Sequence, residues 1–258
     1  MIGGLFRLLL VALGLVLLWQ VIVWVAAPPP FILPGPLATA NALINRFDLL
    51  MQNAAVTLAE ILLGLVFGTL LGIAGALAVI AFAPARRWLL PLLIASQAVP
   101  VFAIAPLLVL WLGYGMASKV AMATLIIFFP VTASFLDGLR RTEGSWLDLA
   151  QTMAGTSTSA RLATMRHIRI PAALPALASG LRVAAAVAPI GAVVGEWVGS
   201  GAGLGYLMLQ ANARMQVDLM FAALFILALI ALALFYVVDA ASRALIPWQD
   251  DSLPVSKE

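Results

Sequence analysis

The sequence predicts an all-α polytopic membrane protein with six transmembrane helices. Of its 258 residues, 64% are hydrophobic and 10% are charged, whereas a soluble domain is about half apolar and about a quarter charged. A single soluble core of this size could not bury so much apolar surface. The apolar residues also form long runs without a two-residue alternation, which disfavours a β-barrel. We therefore expect lipid to surround most of the chain.

The apolar runs have the length that a bilayer requires, since a helix needs about 20 predominantly apolar residues to cross it. The first run extends from Leu8 to Ala27 and is followed directly by three prolines, so we interpret it as a retained span and not as a signal peptide. The whole chain, 1–258, is then one transmembrane domain. The predicted spans are residues 5–27, 55–82, 90–112, 119–138, 174–197 and 219–243.

The basic residues are distributed unequally between the two ends of these spans, and cytoplasmic loops are the ones that carry an excess of Lys and Arg. With a cytoplasmic N-terminus, Arg46, Lys119 and Arg214 face outward and Arg182 lies within a span. The other ten are in cytoplasmic segments: Arg7, Arg86, Arg87, Arg140, Arg141, Arg161, Arg166, Arg169, Arg243 and Lys257. We therefore predict that both termini are cytoplasmic.

Residues typical of catalytic and metal sites are scarce. The chain has no Cys and a single His, His167, which argues against thiolate and histidine metal sites. The phosphate-binding motif G-x-x-x-x-G-K-[ST] does not occur, so the chain has no ATPase site of its own. The glycine-rich stretch 199–205 lacks the dinucleotide-binding spacing and indicates a flexible turn or a re-entrant cap on the outer face. We predict no catalytic residue, metal, cofactor or nucleic-acid partner.

Polar residues within the spans are candidates for a translocation pathway, because a charge is expensive to bury in hydrocarbon. Glu60 lies near the outer end of the second span and Arg182 near the inner end of the fifth, and their different depths argue against a direct ion pair. For each of them, a pathway role and a structural bond to neighbouring backbone are equal alternatives. Gln97 and Glu196 are the two further pathway candidates.

The second span carries Gly64, Gly68 and Gly72 at a four-residue spacing. This spacing puts the glycines on one helix face, where another backbone can approach closely. We favour tight packing within one subunit, and an interface between subunits is the alternative.

The segment between the fourth and fifth spans, residues 139–173, is long and basic. A helix is predicted from Ser145 to Ala154 and ends at Gly155, and helical spacing of apolar residues continues beyond it. Such an amphipathic hairpin is suited to a groove on a partner protein. It is equally suited to a surface of anionic headgroups.

This loop resembles the coupling motif of ATP-binding-cassette importer permeases, which reads E-A-A, three residues, G, nine residues, I-x-L-P. Ile168-Arg169-Ile170-Pro171 matches the second half. For the first half, one register uses Thr152-Met153-Ala154 with Thr158. We prefer the register with Asp148-Leu149-Ala150 and Gly155, because it keeps an acid, an alanine and a helix-breaking glycine. The resemblance implies these ATPase-coupling residues: Asp148, Leu149, Ala150, Met153, Gly155, Arg161, Met165, Ile168 and Pro171.

Further stretches between about residues 30 and 245 are similar to permeases for nitrate, taurine, aliphatic sulfonates and thiamine precursors. They include 96–100 (Ser-Gln-Ala-Val-Pro), 128–130 (Phe-Phe-Pro) and 179–182 (Ser-Gly-Leu-Arg). The stretches 195–199 and 218–222 most resemble the permease for hydroxymethylpyrimidine-type thiamine precursors. The resemblance implies the MetI-like fold of binding-protein-dependent transport permeases.

The resemblance also implies a function and a set of partners. The chain would be the permease subunit of an importer in the bacterial inner (plasma) membrane, with a hydroxymethylpyrimidine-type precursor as cargo; aliphatic sulfonates, taurine and nitrate are the alternatives. Its partners would be an ATPase subunit, an extracytoplasmic substrate-binding protein, a second permease copy in a homodimer, and membrane lipid. A membrane-embedded enzyme is disfavoured, because no Ser/His or paired-Asp constellation lies deep in the spans. A non-transporting scaffold would lack the ATPase partner.

Overall fold

The computed structural model describes residues 2–98, 100–155 and 157–248, and every regular element within them is helical. The helices are α1 (Ile2–Ala26), α2 (Pro36–Asn45), α3 (Phe47–Ala81), α4 (Ala83–Ala98), α5 (Val101–Leu112), α6 (Met116–Arg140), α7 (Gly144–Ala154), α8 (Thr158–Thr164), α9 (Ile170–Gly199), α10 (Leu204–Ala213) and α11 (Val217–Leu245). A π-helical turn, Met165–Arg169, joins α8 to α9. The predicted all-α fold is thereby confirmed.

The predicted spans correspond to apolar helices. Within the described residues, four helical stretches are long and apolar enough to cross a membrane by length and composition: Phe47–Ala81, Met116–Arg140, Thr158–Gly199 and Val217–Leu245. Two shorter apolar stretches, Leu10–Ala26 and Val101–Leu112, occupy the first and third predicted spans. Helices α3 and α9 begin at Phe47 and Ile170, eight and four residues before the predicted starts of the second and fifth spans.

The third predicted span, 90–112, is divided into α4 and α5. Pro100 precedes α5 with φ −59° and ψ 119°, which is not a helical conformation. Proline also disfavours a helical conformation in the residue before it, and it has no N–H to donate. Pro106, by contrast, lies inside α5 without ending that helix. The sequence places prolines at both positions, but only Pro100 separates two helices.

The core of the bundle lies between α3, α6 and α9. Its buried side chains include Ile61, Ile127, Val131, Phe135 and Ala188. A second apolar cluster joins α2, α3 and α10 to α11 through Ala42, Leu50, Leu204 and Ala222. We call the end of the bundle with α7 and α8 the loop end, and the opposite end, with α2 and α10, the α10 end.

The three glycines of the second span lie against α6. A Cβ atom on Gly68 would lie 2.6 Å from Cγ2 of Ile127, and one on Gly72 would lie 2.8 Å from Cγ1 of Val131. Gly64 faces Ala123 even more closely. In this chain the glycine stripe therefore faces the chain's own α6, which is the arrangement of tight packing within one subunit.

Candidate functional site

A buried polar network lies at the α10 end. The inward face of α3 carries Asn53, Thr57 and Glu60, and all three are buried. The glycine stripe continues the same face toward the loop end, because the spacings of three and four residues keep these positions in line. The face of α3 thus changes from polar to glycine-rich along its length. Its polar part receives the α9–α10 connection, and its glycine part receives α6.

Glu196, near the end of α9, holds the start of α10. Its Oε2 atom accepts hydrogen bonds from the amides of Gly205 at 2.5 Å and Tyr206 at 3.1 Å. The Thr57 hydroxyl donates to Glu196 Oε1 at 2.6 Å and accepts from the amide of Leu204 at 2.8 Å. A carboxylate is favourable at this position, because the first amides of a helix have no partner within the helix and its N-terminus is partially positive.

The glycine-rich stretch 199–205 fits closely around this carboxylate. Gly203 has φ +115°, and a Cβ atom there would overlap the Glu196 carboxylate. Its amide donates to Asn53 Oδ1 at 2.8 Å, and the Trp197 indole donates to the carbonyl of Gly205 at 3.1 Å. The stretch therefore forms a fixed turn that binds the protein's own acid.

Glu60 and Lys119 form a buried ion pair next to this turn. Lys119 Nζ lies 3.3 Å from Glu60 Oε1, and the two side chains are 7% and 0% exposed. Glu60 also interacts electrostatically with Glu196, so a second acid lies next to this ion pair. Lys119, one of the three basic residues predicted to face outward, is buried. The lysine lies in the first turns of α6, where close packing against Gly195 of α9 covers it.

Arg182 lies toward the opposite end of the bundle from Glu60. Its Nε atom donates to Asp239 Oδ1 at 2.6 Å, and Arg243 donates to the other oxygen of the same carboxylate at 3.0 Å. This ion pair links α9 to α11. Gln97, the remaining pathway candidate, lies in α4, and its side chain is outside the described residues. Of the three candidates whose side chains the structure describes, it therefore brings together Glu60 and Glu196.

The loop between α6 and α9 folds into two short helices and a turn. Gly155 ends α7 with φ +76°, a conformation that side chains disfavour. The Ser157 hydroxyl then caps α8 by accepting from the amide of Ala160. The π-helical turn carries α8 into α9, so Thr158–Gly199 is one helical stretch of 42 residues. Any displacement of α8 therefore acts directly on α9.

The predicted coupling residues fall into two groups around separate cavities. Leu149, Ala150, Met153, Ile168 and Pro171 line a cavity of about 340 Å³. Gly155, Arg161 and Met165 line a larger one of about 790 Å³. The apolar stripe expected along this loop is thus divided between the two cavities, because the turn at Gly155 gives α7 and α8 different directions. Asp148 lies exposed on α7.

Several residues at the α10 end and at the loop end were not predicted from the sequence. Asn53 lies just before the predicted start of the second span and Thr57 just after it, and their spacing to Glu60 places both on the same helix face. Trp146 and Trp248 complete the smaller cavity. Helix α10 was not predicted either. The pattern that indicates it is a set of apolar residues at helical spacing: Leu204, Leu207, Met208 and Ala211.

A family model described as "Binding-protein-dependent transport system inner membrane component" matches residues 64–250. The matched region extends from the glycine stripe of α3 through the loop end to the end of α11. It therefore includes α6 and α9, Lys119 and Glu196 of the buried network, and both cavities.

Three relatives match nearly the whole chain. A probable ABC transporter permease protein of Haemophilus influenzae is 55% identical and covers 90% of this chain and 93% of its own. The formylaminopyrimidine transport permease protein ThiX of Halalkalibacterium halodurans is 35% identical, covering 92% and 93%. The riboflavin transport system permease protein RibX of Chloroflexus aurantiacus is also 35% identical, covering 91% and 87%.

The fold is similar to that of a solved transporter. A chain of the MetNI methionine ABC transporter, in an inward-facing conformation, aligns with a TM-score of 0.66 over 78% of this chain and 98% of its own. The sequence identity is 18%, so this likeness concerns the fold. It agrees with the MetI-like fold that the sequence implies.

Proposed function

Because this chain belongs to the family of binding-protein-dependent transport system inner membrane components and is a permease subunit of an ATP-binding-cassette importer, we propose that its cargo is a hydroxymethylpyrimidine-type thiamine precursor. The observation that carries the proposal is the 35% identity to a formylaminopyrimidine permease over 92% of this chain. The sequence around Glu196 and the stretch 218–222 support it further. Both stretches lie at the α10 end.

Riboflavin is the second candidate cargo, because the riboflavin permease has the same 35% identity. Aliphatic sulfonates, taurine and nitrate are further candidates. A separate binding protein selects the cargo in such importers, so the permease residues themselves need few specific contacts. The family resemblance also supports an ATPase subunit, an extracytoplasmic binding protein and a second permease copy as partners.

The coupling role assigned to the loop rests on its exposed apolar side chains and on its continuity with α9. Leu149 and Met153 are 60% and 80% exposed on α7, which suits insertion into a groove of the ATPase. ATP binding would close the ATPase subunits and move α7 and α8. The movement would pass along α9 to Glu196 and the α10 end, exchanging inward-open and outward-open states.

The orientation follows from the basic residues. The loop end, with Arg140, Arg161, Arg166 and Arg169, would face the cytoplasm and the ATPase. The α10 end would face the binding protein. Both termini would be cytoplasmic, in a bacterial inner membrane.

Uptake of labelled hydroxymethylpyrimidine tests the cargo directly. Cells with the cognate ATPase and binding protein are compared with and without this gene, and unlabelled riboflavin, taurine and an aliphatic sulfonate are used as competitors. We expect ATP-dependent uptake that needs the gene and resists these competitors. Gene-dependent uptake of riboflavin instead would contradict the pyrimidine assignment and leave the importer intact. Absence of any ATPase association would favour a scaffold.

The coupling surface is tested by Leu149→Ser with Met153→Ser. Loss of two exposed apolar side chains from an interface is expected to weaken ATPase association by roughly tenfold or more, since a few buried side chains dominate such interfaces. The measurement is co-purification and transport-coupled ATP hydrolysis. Leu37→Ser, an exposed position on α2 at the opposite end, is the matched control. Equal association of both variants would place the contact elsewhere.

A further inference from the structure

The larger cavity at the loop end has two apolar walls. One wall is the last turn of α3 and the residue after it, with Ile80, Ala81 and Phe82; the other includes Leu162 and Met165. Phe82 and Leu162 are 62% and 71% exposed. The cavity measures about 790 Å³, within the range of about 300–1,000 Å³ that ligand sites occupy. Its walls suit a hydrocarbon chain.

The same cavity carries positive charge without a compensating acid. Arg161 and Arg169 line it, and no Asp or Glu is among its lining residues. Within the described part of the chain, neither guanidinium takes part in an ion pair. The hydroxyl-bearing Thr158 and Thr164 lie in the same lining. Arginine side chains bind phosphate through two parallel hydrogen bonds.

We propose that this cavity binds an anionic phospholipid. Its phosphate would lie between Arg161 and Arg169, and an acyl chain would extend along Phe82 and Leu162. The position favours a lipid over a soluble anion, because the apolar wall belongs to the end of a membrane-spanning helix. Basic pockets between such helices on the cytoplasmic side are suited to anionic headgroups.

A bound lipid would connect α3 to the coupling loop. Phe82 follows the end of α3, whereas Arg161 and Arg169 lie on either side of the start of the π-helical turn that leads into α9. The lipid would therefore hold the α7–α8 turn against the bundle. This site is independent of the cargo and rests on the membrane location of the chain and on the proposed cytoplasmic orientation of the loop end.

Native mass spectrometry of the purified full-length permease tests the site. The protein in detergent is mixed with equal amounts of dioleoyl phosphatidylglycerol and dioleoyl phosphatidylcholine. We expect the unmodified protein to retain phosphatidylglycerol preferentially, and Arg161→Gln with Arg169→Gln to lose about tenfold or more of that affinity. Arg140→Gln with Arg166→Gln removes the same charge at exposed positions outside the cavity and is expected to retain the preference.

Three results would overturn the proposal. They are equal phosphatidylglycerol retention in both double variants, no lipid preference in the unmodified protein, and loss of ATPase co-purification in the cavity variant with lipid binding unchanged. The last would assign the cavity to the ATPase. If the cavity variant does not fold, a fluorophore on Thr158→Cys gives a second test. Brominated phosphatidylglycerol should quench it more strongly than brominated phosphatidylcholine, and equal quenching would contradict the site.

Discussion

The carboxylate of Glu196 accepts hydrogen bonds from Thr57 and from two amides at the start of α10, and the turn before α10 is shaped around it. Each donor would lose its partner if the carboxylate moved, and unsatisfied buried donors cost about 1–3 kcal/mol each. The arrangement therefore depends on a few residues with little freedom to change. Gly203 and Lys119 are the two that can be tested most directly.

Gly203→Ala is expected to destabilise the α10 end by about 1–3 kcal/mol or more. Alanine disfavours φ +115°, and its Cβ atom would overlap the Glu196 carboxylate. The thermal unfolding midpoint of the purified protein measures the effect. Gly201→Ala in the same turn is the control, because a Cβ atom there meets nothing within 4 Å. Equal midpoints for the two variants would show that the turn is not held as described.

Lys119→Met is expected to be more damaging than Glu60→Gln. Removing the lysine leaves Glu60 buried without its ion-pair partner and beside a second acid, Glu196, and breaking a buried pair in this way costs about 3–5 kcal/mol. Glu60→Gln keeps a side-chain oxygen next to Lys119 and removes one of the two neighbouring acids. The thermal unfolding midpoints of the two purified variants measure which of them is more destabilised.

The combination of Lys119→Met with Glu60→Gln provides the check on this interpretation. It should be less destabilised than Lys119→Met alone, because it removes the uncompensated charge. Full transport by Glu60→Gln would identify Glu60 as a structural residue, and loss of transport by a stable Glu60→Gln protein would support a pathway role.

At the scale of the helices, α3 determines how the bundle packs. Its glycine stripe lets α6 approach until Ile127 and Val131 occupy the space of the absent side chains. Lipid gives no hydrophobic driving force between helices, so close van der Waals contact of this kind is what holds them together. Arg182 and Asp239 add a polar link between α9 and α11 toward the loop end.

Gly68→Ala is expected to destabilise the protein by about 1–3 kcal/mol through overpacking. The new Cβ atom would meet Cγ2 of Ile127 at 2.6 Å and the backbone oxygen of Thr124 at 3.1 Å. Gly75→Ala on the same helix is the control, since its nearest contact is the Phe128 ring at 3.4 Å and alanine is the better helix former. Thermal unfolding that does not distinguish the two variants would contradict the tight α3–α6 contact.

At the scale of the whole molecule, the two ends differ in charge and in the burial of their charged side chains. The loop end carries arginines on α6, α8 and the π-helical turn, whereas the α10 end is built around a buried acid and a lysine. The continuous helix from α8 through α9 spans the distance between them. With Lys119 buried, Arg46 and Arg214 are the basic residues left at the surface of the α10 end within the described ranges.

The orientation of the chain can be tested because its sequence contains no cysteine. Single variants Ser145→Cys in α7 and Gly201→Cys before α10 place one thiol at each end, both at exposed positions. A membrane-impermeant maleimide should label Gly201→Cys in intact spheroplasts and Ser145→Cys only after permeabilisation. The cysteine-free parent is the control, and the reverse pattern would invert the proposed orientation.

Much of the fold was predictable because membrane-spanning segments are specified by local composition. Apolar length indicated the spans, and the spacing of Gly64, Gly68 and Gly72 indicated a close helix contact. Gly155 indicated where α7 ends. Contacts between distant segments were not predictable in this way. The partner of Glu60 is Lys119, and nothing local to either residue indicates that α6 places the lysine beside the acid.

The sequence by itself thus determined the all-α membrane fold, the long apolar segments and the helical character of the loop between the fourth and fifth predicted spans, since each depends on hydrophobicity, periodicity or chain conformation within about 20 residues. Only the tertiary structure decided that Glu196 caps α10, that Lys119 forms a buried ion pair with Glu60, and that residues of this loop surround two cavities. The physical reason is that hydrogen bonds and ion pairs depend on which side chains lie within about 3–4 Å of one another. That proximity is set by the packing of whole helices.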